Sequence, residues 1–198
     1  MADLYKTISE PSTATIREKM SRFIAFAHPV ETAQQAREVI AEYQRKYHDA
    51  RHVCWAYMLG QERKDFLSND NGEPSGTAGK PILGQINSFG LTNIVIVVVR
   101  YFGGIKLGTP GLIQAYREAA RSAIEEATVV EKRVKVTSTV SFGYVSLTPV
   151  MRLLKNPGVN ILSQDFDNTC SITFSTPADD MEPLLAQLKK VEGLNIVG

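Results

Sequence analysis

Four glycines fall within nine positions, Gly103, Gly104, Gly108 and Gly111, and two cations, Arg100 and Lys106, stand at the edge of and inside that run. Bare backbone lets a ligand come close to N–H groups, and the cations add full positive charge, so the pattern suits an anion, most simply phosphate. Thr109 suits a helix N-cap and Pro110 the first helical position. The loop is therefore expected to run into a helix start, whose unpaired N–H groups carry a partial positive charge. The candidate anion-binding residues are Arg100, Gly103, Gly104, Lys106, Gly108, Thr109 and Gly111. The alternative is a tight strand-to-helix connection with solvated cations, and composition alone leaves both open.

A second stretch, Asp70-Asn71-Gly72-Glu73-Pro74-Ser75-Gly76-Thr77-Ala78-Gly79-Lys80-Pro81, is dense in turn formers and small side chains. It is expected as an exposed loop feeding a short helix over Lys80–Asn87. Ser75, Thr77 and Lys80 are candidates for the opposing wall of a cleft, and Asp70 and Glu73 for orienting those side chains or a ligand hydroxyl. Each carboxylate alone also fits plain turn chemistry or the charge preference of a helix N-terminus. Two such glycine-rich helix entries favour one shared cleft.

No catalytic set is assigned. His52 and Cys54 share one face of an expected strand, Arg51–Leu59, but no second pair follows at ligand spacing, and nothing nearby in sequence orients them as a nucleophilic couple. No Gly-Lys-Ser/Thr phosphate loop and no His–carboxylate–nucleophile set is found. No metal and no cofactor is expected.

The elements that must position these residues are legible from periodicity. Ile94–Val99 is apolar and β-branched throughout, as in a strand buried on both faces. After the glycines, Leu112, Ile113, Tyr116, Ala119, Ala120, Ala123, Ile124 and Ala127 recur at helical spacing. Upstream, Tyr5–Glu10 reads as one strand and Ala14–Ala27 as a second, longer one. A helix follows, with Thr32 and Gln35 as a capping box and an end near His48-Asp49. Beyond the charged segment Glu125–Lys132 the order is strand (Val134–Phe142), helix capped by Thr148, a hairpin of Val159–Phe166 and Cys170–Ser175, helix, and a last strand Leu194–Val197. That is βαββαβ, the ferredoxin-like order. Domains are expected at 1–130 and 131–198.

Composition bounds the rest. With 198 residues, 43% hydrophobic and 22% charged, the chain has ordinary globular make-up. A net charge of +1 supplies no global field for nucleic acid, so any attraction must be local. Arg100, Lys106, Arg117 and Arg121 form one such patch against a single acid, Glu118. No apolar run spans a bilayer and no signal-peptide layout opens the chain. With two cysteines, Cys54 and Cys170, a reduced, cytoplasmic protein without membrane attachment is expected.

Asp70–Pro81 together with Arg100-Tyr101-Phe102-Gly103-Gly104-Ile105-Lys106-Leu107-Gly108-Thr109 and Arg51-His52-Val53-Cys54-Trp55-Ala56 resembles the signature of the IMPACT family, in its bacterial, YigZ-like branch. The likeness covers nearly the whole chain. Asn71, where the family more often has Asp, and Pro110, often Gly, are small departures. The resemblance implies an α+β protein: an N-terminal domain of the ribosomal protein S5 domain 2-like fold, and a C-terminal ferredoxin-like domain similar to the last domain of elongation factor G. Both folds occur in translation machinery and RNA binders. Eukaryotic members restrain an amino-acid-starvation kinase by competing for its activating partner and carry an additional N-terminal domain, so that role is not expected here. Fold kinship alone does not fix function.

The expected function is a non-enzymatic, translation-associated regulator or accessory factor that binds RNA or another phosphate-rich ligand in the glycine-rich cleft, with RNA or the ribosome as partner. The alternatives are an enzyme acting on a phosphorylated small molecule or nucleotide, and a protein-interaction module with a protein partner.

Overall fold

The computed structural model describes residues 4–198 and divides them into two compact units, Tyr5–Lys132 and Arg133–Gly198, the latter joined by Leu4. The class is α+β.

In the first unit a five-stranded antiparallel sheet runs β2 (Ser12–Glu18), β3 (Ser21–Pro29), β6 (Ile94–Tyr101), β4 (His52–Leu59), β5 (Asp65–Asn69) across its width. Its central strand β6 is buried on both faces, as its unbroken β-branched run demands. Ile94, Ile96 and Val98 pack toward α2 (Gly79–Ser88) and α3 (Gly108–Glu126), while Val95, Val97 and Val99 pack toward α1 (Ala33–Lys46). Thr32 caps α1 as its spacing with Gln35 predicts: Gln35 N–H donates to Thr32 Oγ1 at 3.1 Å.

Two expectations are corrected here, and one strand is added. Residues 14–27 are not one strand but most of a hairpin, β2 and β3, turned at Lys19 and Met20 with φ of +42° and +70°. Neither residue type announces a left-handed turn, so the sequence conceals it. Within the charged boundary segment, Val129–Arg133 forms a strand, β7, paired with β1 (Leu4–Ile8). Helix α3 starts at Gly108, with Leu107 at the cap position and no side-chain cap, so Thr109 and Pro110 sit inside its first turn and Thr109 does not cap it.

The second unit is a four-stranded sheet in the order β11 (Asn195–Ile196), β8 (Lys135–Phe142), β10 (Cys170–Pro177), β9 (Asn160–Phe166). With α4 (Leu147–Leu154) and α5 (Ala178–Leu188) this is the ferredoxin-like arrangement, and β11 lies at an edge. Val140, Phe142, Ile172 and Phe174 meet Val150, Leu154, Leu184 and Leu188 in its core. Thr148 falls within α4, which a short 3-10 turn over Tyr144–Ser146 precedes, and the helix has no side-chain cap. Among the described residues no helix is long and apolar enough to cross a membrane.

Candidate functional site

The two glycine-rich corners meet. A cavity of about 440 Å³ in the first unit is bounded by Gly72, Glu73 and Pro74 from the first and by Phe102, Lys106, Leu107, Gly108 and Thr109 from the second. Arg51, His52 and Arg100 contribute from the adjoining strand ends, and Leu112 from α3.

The corners are held from below. Asp70 accepts from three backbone N–H groups, Gly76 at 2.8 Å, Ala78 at 3.1 Å and Gly79 at 2.8 Å. Burial works against its charge, but those three donors, with Lys80, outweigh burial and hold the carboxyl below its usual range. Asp70 thus stitches its own loop to the start of α2 and is not turned to a ligand. Glu73 is the hub of the floor: its Oε1 accepts from Arg100 Nη1 at 2.6 Å and from the Tyr116 hydroxyl at 2.8 Å, and lies 3.6 Å from His52 Nε2. Both partners of the Glu73–Arg100 ion pair are almost fully buried. The guanidinium also lies 5.5 Å from the Phe23 and Phe102 ring centres.

Arg100, expected to neutralise an anion, is therefore compensated by Glu73, and the floor carries almost no net charge. Free positive charge lies at the rim. Lys106 is exposed and, among the described residues, has no carboxylate within 4.0 Å. Arg51 stacks its guanidinium over Phe102 at 4.9 Å.

The remaining candidates divide. Gly108 (φ +71°) and Thr109 line the cavity at the start of α3. Gly103, Gly104 and Gly111 do not line it. A Cβ on Gly103 would stand 2.0 Å from the Met20 carbonyl oxygen, so that glycine is required by the close pass of the β2–β3 turn. Thr77 is buried, its hydroxyl donating to the Pro74 carbonyl at 2.5 Å, and Ser75 faces outward away from the cavity lining. Lys80 lies instead in a separate groove of about 460 Å³ with Gly76, Gln85 and Arg117. The four-residue basic patch does not assemble as one: Arg100 is buried, Arg117 faces that second groove, and Arg121 pairs with Glu125 at 2.9 Å.

Sequence reasoning did not single out Arg51 or Tyr116. Tyr116 reads as one more core residue on the apolar face of α3; its hydroxyl, buried beside Glu73 and Cys54, is the part periodicity cannot see. Cys54 is fully buried, 3.1 Å from the Asp70 carbonyl and 3.4 Å from the Tyr116 hydroxyl, and burial pushes its thiol up to about 12. It is no nucleophile near neutral pH. Burial likewise raises the Tyr116 phenol, with Cys54 and Glu73 adding to it.

A sheet whose glycine-rich corners close over a buried Glu–Arg pair, followed by a ferredoxin-like unit, defines a two-unit α+β protein with a polar cleft between those corners. Residues 19–124 match the family model of the Impact N-terminal domain. The chain is 34% identical over 186 residues to an IMPACT family member of Haemophilus influenzae, covering 90% of this chain and 89% of the relative. It is 33% identical over 180 residues to the IMPACT family member YigZ of Escherichia coli, covering 90% and 88%. A crystal structure of a hypothetical protein superposes with a TM-score of 0.82 at 30% identity, over 100% of this chain and 98% of that one. The chain belongs to the IMPACT family, alongside bacterial members such as YigZ.

Proposed function

We propose that this protein is a translation-associated accessory factor that binds RNA, or another phosphate-rich ligand, in the cleft of its first unit. The observation that carries the reading is the rim: Lys106, Arg51 and, at the start of α3, Gly108 and Thr109 line one cavity whose floor is charge-compensated. An anion there meets two cations and a helix N-terminus. Arg100 serves the site indirectly, by fixing Glu73 and the second corner, and Asp70 by fixing the first. The assignment to translation follows family membership and the folds the resemblance implies. A binding role without bond-making accords with the state of Cys54, whose thiol is buried and protonated.

The test is retention of tRNA or ribosomal fractions by the full chain at low salt. Binding should weaken as salt rises, each phosphate contact adding about 0.7 to the log–log slope on single strands. Lys106→Glu, on an exposed side chain, should lower affinity at least tenfold with an unchanged unfolding curve. If no RNA or ribosomal fraction is retained, or Lys106→Glu binds as well as the parent, the reading fails.

A further inference from the structure

Glu73 is 8% exposed on the cavity floor, yet only one of its carboxylate oxygens is engaged. Oε1 takes the Arg100 and Tyr116 donors and faces His52. Among the described residues no donor reaches Oε2, and that oxygen is not sealed off inside the protein. A carboxylate oxygen with unused lone pairs beneath a cationic rim is a poor floor for a bare anion, to which it can donate nothing. It suits a ligand that carries an anion at one end and a hydrogen-bond donor at the other.

Charge decides which donor. Arg100 stands 2.6 Å from Glu73, so its guanidinium offsets part of the attraction an ammonium would feel for the carboxylate. A neutral hydroxyl needs only the lone pair. A second polar atom lies alongside: His52 Nδ1 donates to the Asn71 carbonyl at 2.8 Å, which sets Nε2 toward Glu73, 3.6 Å from Oε1. A carboxylate oxygen beside an imidazole nitrogen matches the two neighbouring hydroxyls of a vicinal diol.

We propose that the cleft takes a phosphorylated ribose, with its phosphate at Lys106, Arg51 and the start of α3, and its 2′,3′-diol held at one hydroxyl by Glu73 Oε2, which accepts from it, and at the other by His52 Nε2. This rests on the anion reading above and adds the group at the other end of the ligand. The cavity of about 440 Å³ is of a size for one nucleotide, and Phe102, 37% exposed, offers an apolar edge beside it. A free nucleoside monophosphate and the 3′-terminal nucleotide of an RNA present the same chemistry.

Calorimetric titration of the full chain with AMP and with 2′,3′-dideoxy-AMP tests it, with a short RNA and the same RNA ending in a dideoxynucleotide as the second pair. The diol form should bind about tenfold tighter or more in at least one pair, since hydrogen bonds to a charged group are at stake. A difference in the AMP pair points to a free nucleotide, and one confined to the RNA pair points to an RNA end. Lys106→Ala should weaken both members of a pair by a common factor and leave their ratio unchanged. Equal binding of diol and dideoxy forms overturns the diol site while leaving the anion reading standing. Failure of all four to bind overturns both.

Discussion

Replacing Glu73 by leucine leaves a guanidinium buried without its counter-charge. Arg100 donates to Glu73 at 2.6 Å, its next oxygen is Ser21 Oγ at 3.5 Å, and its Nε already has no partner. The Phe23 and Phe102 rings at 5.5 Å return only about 0.5–2 kcal/mol of cation–π attraction. Breaking a buried pair by removing one partner costs about 3–5 kcal/mol, and Tyr116 also loses its acceptor. We expect Glu73→Leu to destabilise the first unit by about that 3–5 kcal/mol. The chain has a single tryptophan, Trp55, on β4 of that unit, so its fluorescence in urea follows this unit alone. The double variant Glu73→Leu/Arg100→Met removes both charges and should recover most of the loss. A cost below about 1 kcal/mol for Glu73→Leu, or a double variant no more stable than the sum of its singles, would refute the view that this pair is desolvated and mutually dependent.

Three further outcomes follow from named contacts. Asp70 has its folded pKa held below the unfolded value, so its stabilisation is complete above the ordinary carboxylate range near pH 4 and is lost as pH falls through the folded value; Asp70→Asn should flatten the acid limb of a stability–pH curve, and an unchanged limb would contradict the role. Gly103→Ala drives a Cβ into the Met20 carbonyl and should cost about 1–3 kcal/mol by urea unfolding, where a silent substitution would show that the β2–β3 turn yields freely. Cys54 should resist a thiol reagent at pH 8 in the native protein and react once urea exposes it; fast labelling of the folded chain would mean the thiol is neither buried nor protonated as described.

Much of the first unit was legible because its signals are local. A run of six β-branched residues reads as a strand with two covered faces, and β6 has both. The change to a 3.6-residue period after Gly111 marks α3 within a turn of its true start. The two corners could be recognised by their lack of side chains, though not which atoms would face the space between them. What escaped detection is non-local. Glu73 and Arg100 are 27 positions apart and nothing beside either names the other. Arg51 precedes its strand as an ordinary charged residue, and only the fold sets it over Phe102. The turn at Lys19-Met20 uses residues that rarely take positive φ, so the hairpin was hidden in an unbroken strand-like run.

Loops poor in side chains cannot pack themselves, and here each corner is fixed by a polar contact instead: Asp70 clamps the first to α2, and Glu73 ties it to Arg100 at the end of β6, where the second begins. An apolar pair in place of Glu73 and Arg100 would hold the corners as well or better, since a buried ion pair seldom outperforms hydrocarbon of like volume. Stability therefore does not explain why the charges are there, whereas the ligand proposed for the open Glu73 oxygen would. The double variant Glu73→Leu/Arg100→Met separates the two roles in one protein. It should unfold at nearly the parent's urea concentration yet bind AMP and 2′,3′-dideoxy-AMP alike. If it keeps the parent's preference for the diol, the buried pair is scaffolding alone and ligand recognition lies elsewhere.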